Sequence, residues 1–241
     1  GDPIILYDEF ADRFIISQFS DTPESFLVAI SQGPNPVTDG WYTYRFPTNG
    51  VLPDYPKISV WSDGYYITTN KNWRTAGETP VIYAIERDKM LLGESARVVG
   101  FPLPGIRTNG FYSPAGFNAT GNRLPPRGNA PIIYLQDDAW SGVEIDHLKL
   151  WNVNMDWNSI GNSTISESQE LGPGQGVSPF IATFDGGSFE NLSQPFDGRD
   201  IDVLQAAMMY STQYRRFASH NSVVMNFRSE EHTSELQSPV T

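Results

Sequence analysis

The sequence predicts an all-β fold, a partial β-propeller of about four four-stranded blades, and three observations predict it. Short apolar runs alternate with Gly, Pro, Asn and Asp turns, and long amphipathic helical patterns are nearly missing. The composition is that of a turn-rich β protein, with 21 Gly, 18 Pro and 13% aromatic residues in 241. A proline-led phrase also recurs. Asp2-Pro3-Ile4-Ile5-Leu6-Tyr7 returns about fifty residues later as Tyr55-Pro56-Lys57-Ile58-Ser59-Val60, the length of one propeller blade.

The first unit covers residues 1–50. Pro3 fixes its own φ and biases Asp2 toward extended backbone, so strands are expected at 4–7 and 13–19 around a polar turn at 8–12. Residues 26–31 and 41–46 complete the four, with Trp41, Thr43 and Arg45 on one face and Tyr42, Tyr44 and Phe46 on the other. The second unit covers 51–104. Asp63-Gly64 between 58–61 and 65–70 is a strong hairpin signal. Residues 81–86 and 97–101 supply the remaining strands, with a single helical turn at 88–93 between them.

Residues 105–128 carry many Gly, Pro and Asn with little periodicity and read as a long surface loop. The third unit, 129–170, opens at Pro131-Ile132-Ile133-Tyr134-Leu135. It continues through 147–157, where Trp151, Val153, Met155 and Trp157 share a face. The fourth unit, 195–227, contains 200–217, where helical and alternating patterns compete. The repeat favours a long strand, followed by a strand at 222–227 with an open sheet edge.

The formal charge of −12 disfavours phosphate backbones and anionic lipid. The absence of cysteine excludes disulfides, thiolate nucleophiles and Cys-based zinc sites. No apolar run approaches the length of a membrane span. His147 and His220, the histidines of the first 227 residues, are too far apart in the chain to suggest a metal cluster or a Ser-His pair.

The two Pro-led phrases, with Asp63-Gly64-Tyr65-Tyr66-Ile67-Thr68, Arg87–Met90, Tyr214-Arg215 and Ser219-His220-Asn221-Ser222, resemble a poorly characterised family of large exported proteins common in Bacteroidetes-type bacteria. The resemblance covers most of residues 1–227 and is weakest at 105–128 and 161–195. It implies a β-propeller, sialidase-like in general architecture, and an extracellular or cell-surface location. It carries no catalytic residues. The run Arg228-Ser229-Glu230-Glu231-His232-Thr233-Ser234-Glu235-Leu236-Gln237-Ser238-Pro239 resembles a translated sequencing adapter. Residues 228–241 are therefore expected to be a non-native tail, and 1–227 a truncated domain.

The candidate functional residues fall in loops. Trp73 and Trp140 lie in polar contexts and are candidates for an exposed sugar platform, against the alternative that tryptophans pack between blades. Asp137 and Asp138 lie beside Trp140 and are either ligand-binding residues or turn caps. Asp197, Asp200 and Asp202 put three carboxylates in six residues, a candidate calcium site without EF-hand spacing. The expected function is a binding module recognising a glycan or a protein partner, without nucleic acid. The alternative is a propeller-type glycoside hydrolase, which needs paired carboxylates and, if sialidase-like, an arginine cluster.

Overall fold

The computed structural model describes residues 1–182, 193–196, 198–202 and 204–229. The chain is mostly β, in three sheets, none of them closed. The first is the antiparallel meander β1 (Ile4–Asp8), β2 (Arg13–Asp21), β3 (Glu24–Ser31) and β4 (Trp41–Pro47). The second is the meander β5 (Lys57–Val60), β6 (Tyr65–Thr68), β7 (Ile82–Ile85) and β8 (Val98–Phe101), with the short helix α1 (Arg87–Leu91) before its last strand. The third contains β9 (Ala115–Thr120), β10 (Ala130–Gln136), β11 (His147–Asn154), β12 (Thr164–Leu171), β13 (Thr212–Arg216) and β14 (Asn221–Val224), in the order β12-β11-β10-β9-β13-β14.

Period-two alternation explains the packing. Ile15, Phe26, Val28, Ile30 and Phe46 of the first sheet meet Ile58, Val60, Tyr65, Ile67 and Ile85 of the second in one core. The alternate side chains of the second sheet, Tyr66, Ile82 and Ala84, join Ile132, Tyr134, Trp151 and Val153 of the third in another. The second sheet is therefore the middle layer, covered on both faces. That is why β5, β6 and β7 read as continuous buried runs rather than as alternating strands.

Polar bonds lock the layers in register. Asp8 at the end of β1 is fully buried. Its Oδ1 accepts the Phe10 and Ala11 amides at 3.1 and 3.2 Å, closing the turn as an aspartate cap does. Its Oδ2 accepts the Tyr65 hydroxyl at 2.8 Å and Arg87 Nε at 2.7 Å, tying the first sheet to the second. Between the second and third sheets, Val60 N donates to Asn118 Oδ1 at 2.9 Å and Thr68 Oγ1 to the Pro114 carbonyl at 2.8 Å. Gly116 lets these sheets approach, since a Cβ there would lie 2.4 Å from Ser59 Oγ. Gly116→Ala is expected to cost about 1–3 kcal/mol. Ser59→Ala in the same chain removes the obstructing oxygen and recovers most of that loss, a coupling that a double-mutant cycle in denaturant measures.

Two segments differ from expectation. The stretch read as a loop, 105–128, carries β9, which bonds β10 on one side and runs parallel to β13 on the other. Its sequence, AGFNAT, lacks β-branched alternation and becomes a strand because its neighbours supply the ladder. The stretch read as one long strand, 200–217, forms, among its described residues, a strand at Thr212–Arg216 and bridges at Ile201, Ala207 and Met208. Leu204 and Ala206 take positive φ values of 50° and 56°, which interrupt a strand. The strands of the fourth unit thus extend the third sheet instead of forming their own. β14 ends that sheet, with Val224 66% exposed.

Candidate functional site

Two loops that leave strands of the second sheet meet beside it. Residues Trp73–Thr75 form a 3₁₀ turn after β6, and 106–108 follow β8. Thr108 Oγ1 donates to the Trp73 carbonyl at 2.6 Å, pinning the two together. Arg107 is held through its backbone: its amide donates to Gln136 Oε1 at 2.8 Å, and its carbonyl accepts Gln136 Nε2 at 2.9 Å. Because Gln136 ends β10, this reciprocal pair anchors the loop to the third sheet. The result is an open cleft of about 270 Å³ lined by Trp73, Arg74, Gly77, Ile106, Arg107, Thr108 and Ser141, with Ala76 at its base.

The electrostatics of the cleft are set by its arginines. The Arg74 guanidinium lies 4.3 Å from the centre of the Trp73 ring. Gly142, at φ +83°, brings the chain close to Arg107, whose Nε lies 3.0 Å from where a Cβ would stand. Among the described residues no carboxylate lines the cleft, and neither Arg74 nor Arg107 is in an ion pair.

Ser141 belongs to the 137–146 loop, which carries the acidic residues. Carboxylate oxygens of Asp137, Asp138 and Asp146 lie within 4.8 Å of one another. Asp137 and Asp146 are buried and accept backbone amides. Asp137 takes Ala139 N at 2.8 Å and Ala182 N at 2.6 Å, and Asp146 takes Asp138 N and Phe180 N, each at 2.8 Å. These bonds brace the loop and fasten 180–182 across it. Asp138 is exposed, and the charge of Asp146, then desolvation, then the charge of Asp137 hold its carboxyl above the usual carboxylate range.

The fold therefore brings Trp73 to the loop of Asp137 and Asp138, although more than sixty residues separate them. Trp140 is corrected: it is 4% exposed and stacks on Tyr134 with centroids 6.1 Å apart, so it is core beneath the loop and not a sugar platform. Trp73 is 37% exposed at the cleft. Of the expected calcium residues, Asp197 lies outside the described residues. Asp200 and Asp202 are exposed, and Asp202 Oδ1 accepts Leu204 N at 2.7 Å as a turn cap. The acidic side chains that converge among the described residues are those of 137–146 instead.

Sequence reasoning missed Asp146 and Arg107, and weighed Arg74 only with Arg13, Arg45 and Arg199 as arginines available to a sialidase-like site, without placing it at this cleft. Asp146 had a readable signal, an aspartate placed immediately before a well-alternating strand. The arginines had none, because only the tertiary meeting of two loops sets them around one cleft. Comparison with family models, curated proteins and solved structures gives no match.

Proposed function

We propose that the chain is a glycan-binding module of propeller type, exported or displayed at the cell surface, whose ligand seats in the cleft at Trp73. The observation that carries this reading is the partly exposed Trp73, set in a cleft otherwise rich in hydrogen-bonding groups: Arg74, Arg107, Thr108 and Ser141. An indole beside such groups suits a sugar, which presents an apolar ring face and a polar rim. Protein recognition, the other partner class, usually uses a larger and flatter area. Hydrolysis asks for two carboxylates about 5–9 Å apart at the bond to be cut, and the lining of this cleft offers arginines in their place.

Calcium would act on the 137–146 loop, mainly through Asp138. Asp137 and Asp146 already receive two amides each, and a hard cation would relieve the repulsion that raises the Asp138 carboxyl. The test is a glycan array in calcium-containing buffer, followed by titration calorimetry of the best binder. Trp73→Ala is expected to weaken binding at least tenfold with the melting temperature unchanged. In the same preparations calcium is expected to raise the melting temperature, and Asp138→Asn to remove that increase. An array without signal defeats the glycan reading. An unchanged melting temperature defeats the calcium reading and leaves the aspartates as amide braces.

A further inference from the structure

We infer that the cleft selects a sugar bearing a carboxylate, a uronate or sialate residue, and that Arg74 and Arg107 bind that carboxylate. The inference rests on the glycan reading and narrows it to one ligand class.

The state of the two arginines is the first reason. This chain carries 28 acidic and 16 basic residues, so an exposed guanidinium has abundant potential partners. Three other arginines find them, Arg87 with Asp8, Arg97 with Glu86 and Arg127 with Asp88, whereas Arg13, Arg45, Arg123, Arg215 and Arg216, scattered over the chain, are in no ion pair among the described residues. Arg74 and Arg107 both line one cleft and, among the described residues, pair with no carboxylate.

Preorganisation is the second reason. The Trp73 ring gives the Arg74 guanidinium a neighbour 4.3 Å from its centroid, and a cation over an indole keeps its N–H groups able to donate. The Arg107 backbone is fixed by its exchange of hydrogen bonds with Gln136, and the start of its guanidinium passes close to the chain at Gly142. Anchored backbone limits the volume each guanidinium can search, and two parallel N–H groups match the two oxygens of a carboxylate.

The third reason is what Arg74 does to the indole. A guanidinium 4.3 Å from the ring centroid occupies a face that a neutral sugar would use for stacking. The cleft thus gives up apolar surface for positive charge. That exchange weakens neutral ligands and favours anionic ones. Thr108 and Ser141 remain on the lining for the sugar hydroxyls, and about 270 Å³ suits one pyranose ring with its carboxylate.

The experiment is calorimetry on the whole chain with matched pairs: oligogalacturonate against neutral galacto-oligosaccharide of equal length, and sialyllactose against lactose. The acidic member of at least one pair is expected to bind at least tenfold more tightly, and the preference should shrink as salt rises. Arg74→Ala and Arg107→Ala are each expected to abolish the preference while keeping the wild-type melting curve. Arg107→Lys should retain a part of it, since the charge stays and the bidentate fork is lost. Equal binding of acidic and neutral members, or a preference unchanged by both arginine variants, overturns the inference and leaves the glycan reading intact. Binding of no sugar in either pair and none on the array overturns both.

Discussion

Arg87→Met is expected to destabilise the fold by about 3–5 kcal/mol. The reason is Asp8, which has no exposure to solvent and relies on Arg87 Nε at 2.7 Å as its cation. Methionine fills much of the same volume but leaves the carboxylate with the Tyr65 hydroxyl and two turn amides. An isolated buried charge costs far more than the pair contributed, because desolvation is no longer offset by attraction. The pair also joins the first two sheets, so its loss weakens their contact as well as the turn. Urea unfolding of the variant measures the effect. Adding Asp8→Asn is expected to recover part of the loss, because the amide oxygen can still receive Phe10 N and Ala11 N while the charge is gone. If Arg87→Met unfolds at the wild-type midpoint, the buried pair is not a link between the sheets.

The second large effect is expected at Lys57, and its sign is opposite. Lys57 lies at the start of β5, facing the third sheet, only 5% exposed. Its Nζ donates to Ser113 Oγ and lies 4.5 Å from the Tyr55 ring centroid, and among the described residues it is in no ion pair with a carboxylate. Burial pulls its pKa down to about 7. In the unfolded chain the amine titrates near its ordinary value of about 10.4. Between these two values the unfolded chain binds more protons than the folded one, so this group makes stability rise with pH across that window. Below pH 7 the folded chain carries the full cost of the buried cation. Lys57→Met is therefore expected to stabilise the protein at pH 6, by an amount on the order of 3 kcal/mol. The gain should shrink steadily toward pH 10. Denaturant midpoints of the two proteins at matched pH check this, and the comparison at each pH cancels the titration of the buried tyrosines. A variant that is less stable than wild type at pH 6 would show that the hydrogen bond and ring contact outweigh desolvation.

The local features of the first two sheets were legible in the sequence. The Asp63-Gly64 turn and alternation across β2 to β4 act within a few residues, and the strands fall where those signals put them. The proline-led entries differ from expectation, since Asp2 and Tyr55 take positive φ values of 52° and 48° instead of extended backbone. The role of the middle layer was less legible: β5 to β7 are buried throughout, yet β5 reads Lys57-Ile58-Ser59-Val60, the alternation of a half-exposed strand. What the sequence concealed depends on distant partners. β9 is held by β10 and by β13 from the far end of the chain, so its own residues need no strand pattern. Trp140 has polar neighbours in sequence, Asp137 and Asp138, yet its side chain turns beneath the loop toward Tyr134. Trp73 could be marked as exposed from its context alone. Its grouping with Arg74, Arg107 and Ser141 follows from the Thr108 and Gln136 bonds, which join segments tens of residues apart.

The parallel ladder between β9 and β13 also governs how the chain reaches this state. Its partners, Phe117 with Thr212 through Thr120 with Arg215, are joined by more than ninety intervening residues, whereas the meanders need only short closures. Closing so long a segment consumes entropy before any contact rewards it. The hairpins of the two meanders and of the consecutive strands β9 to β12 can therefore assemble early, and the seam between β9 and β13 closes last. Until it does, one margin of β9 stays open to another chain, which makes the interval before closure the period when crowded molecules are most prone to join by mistake.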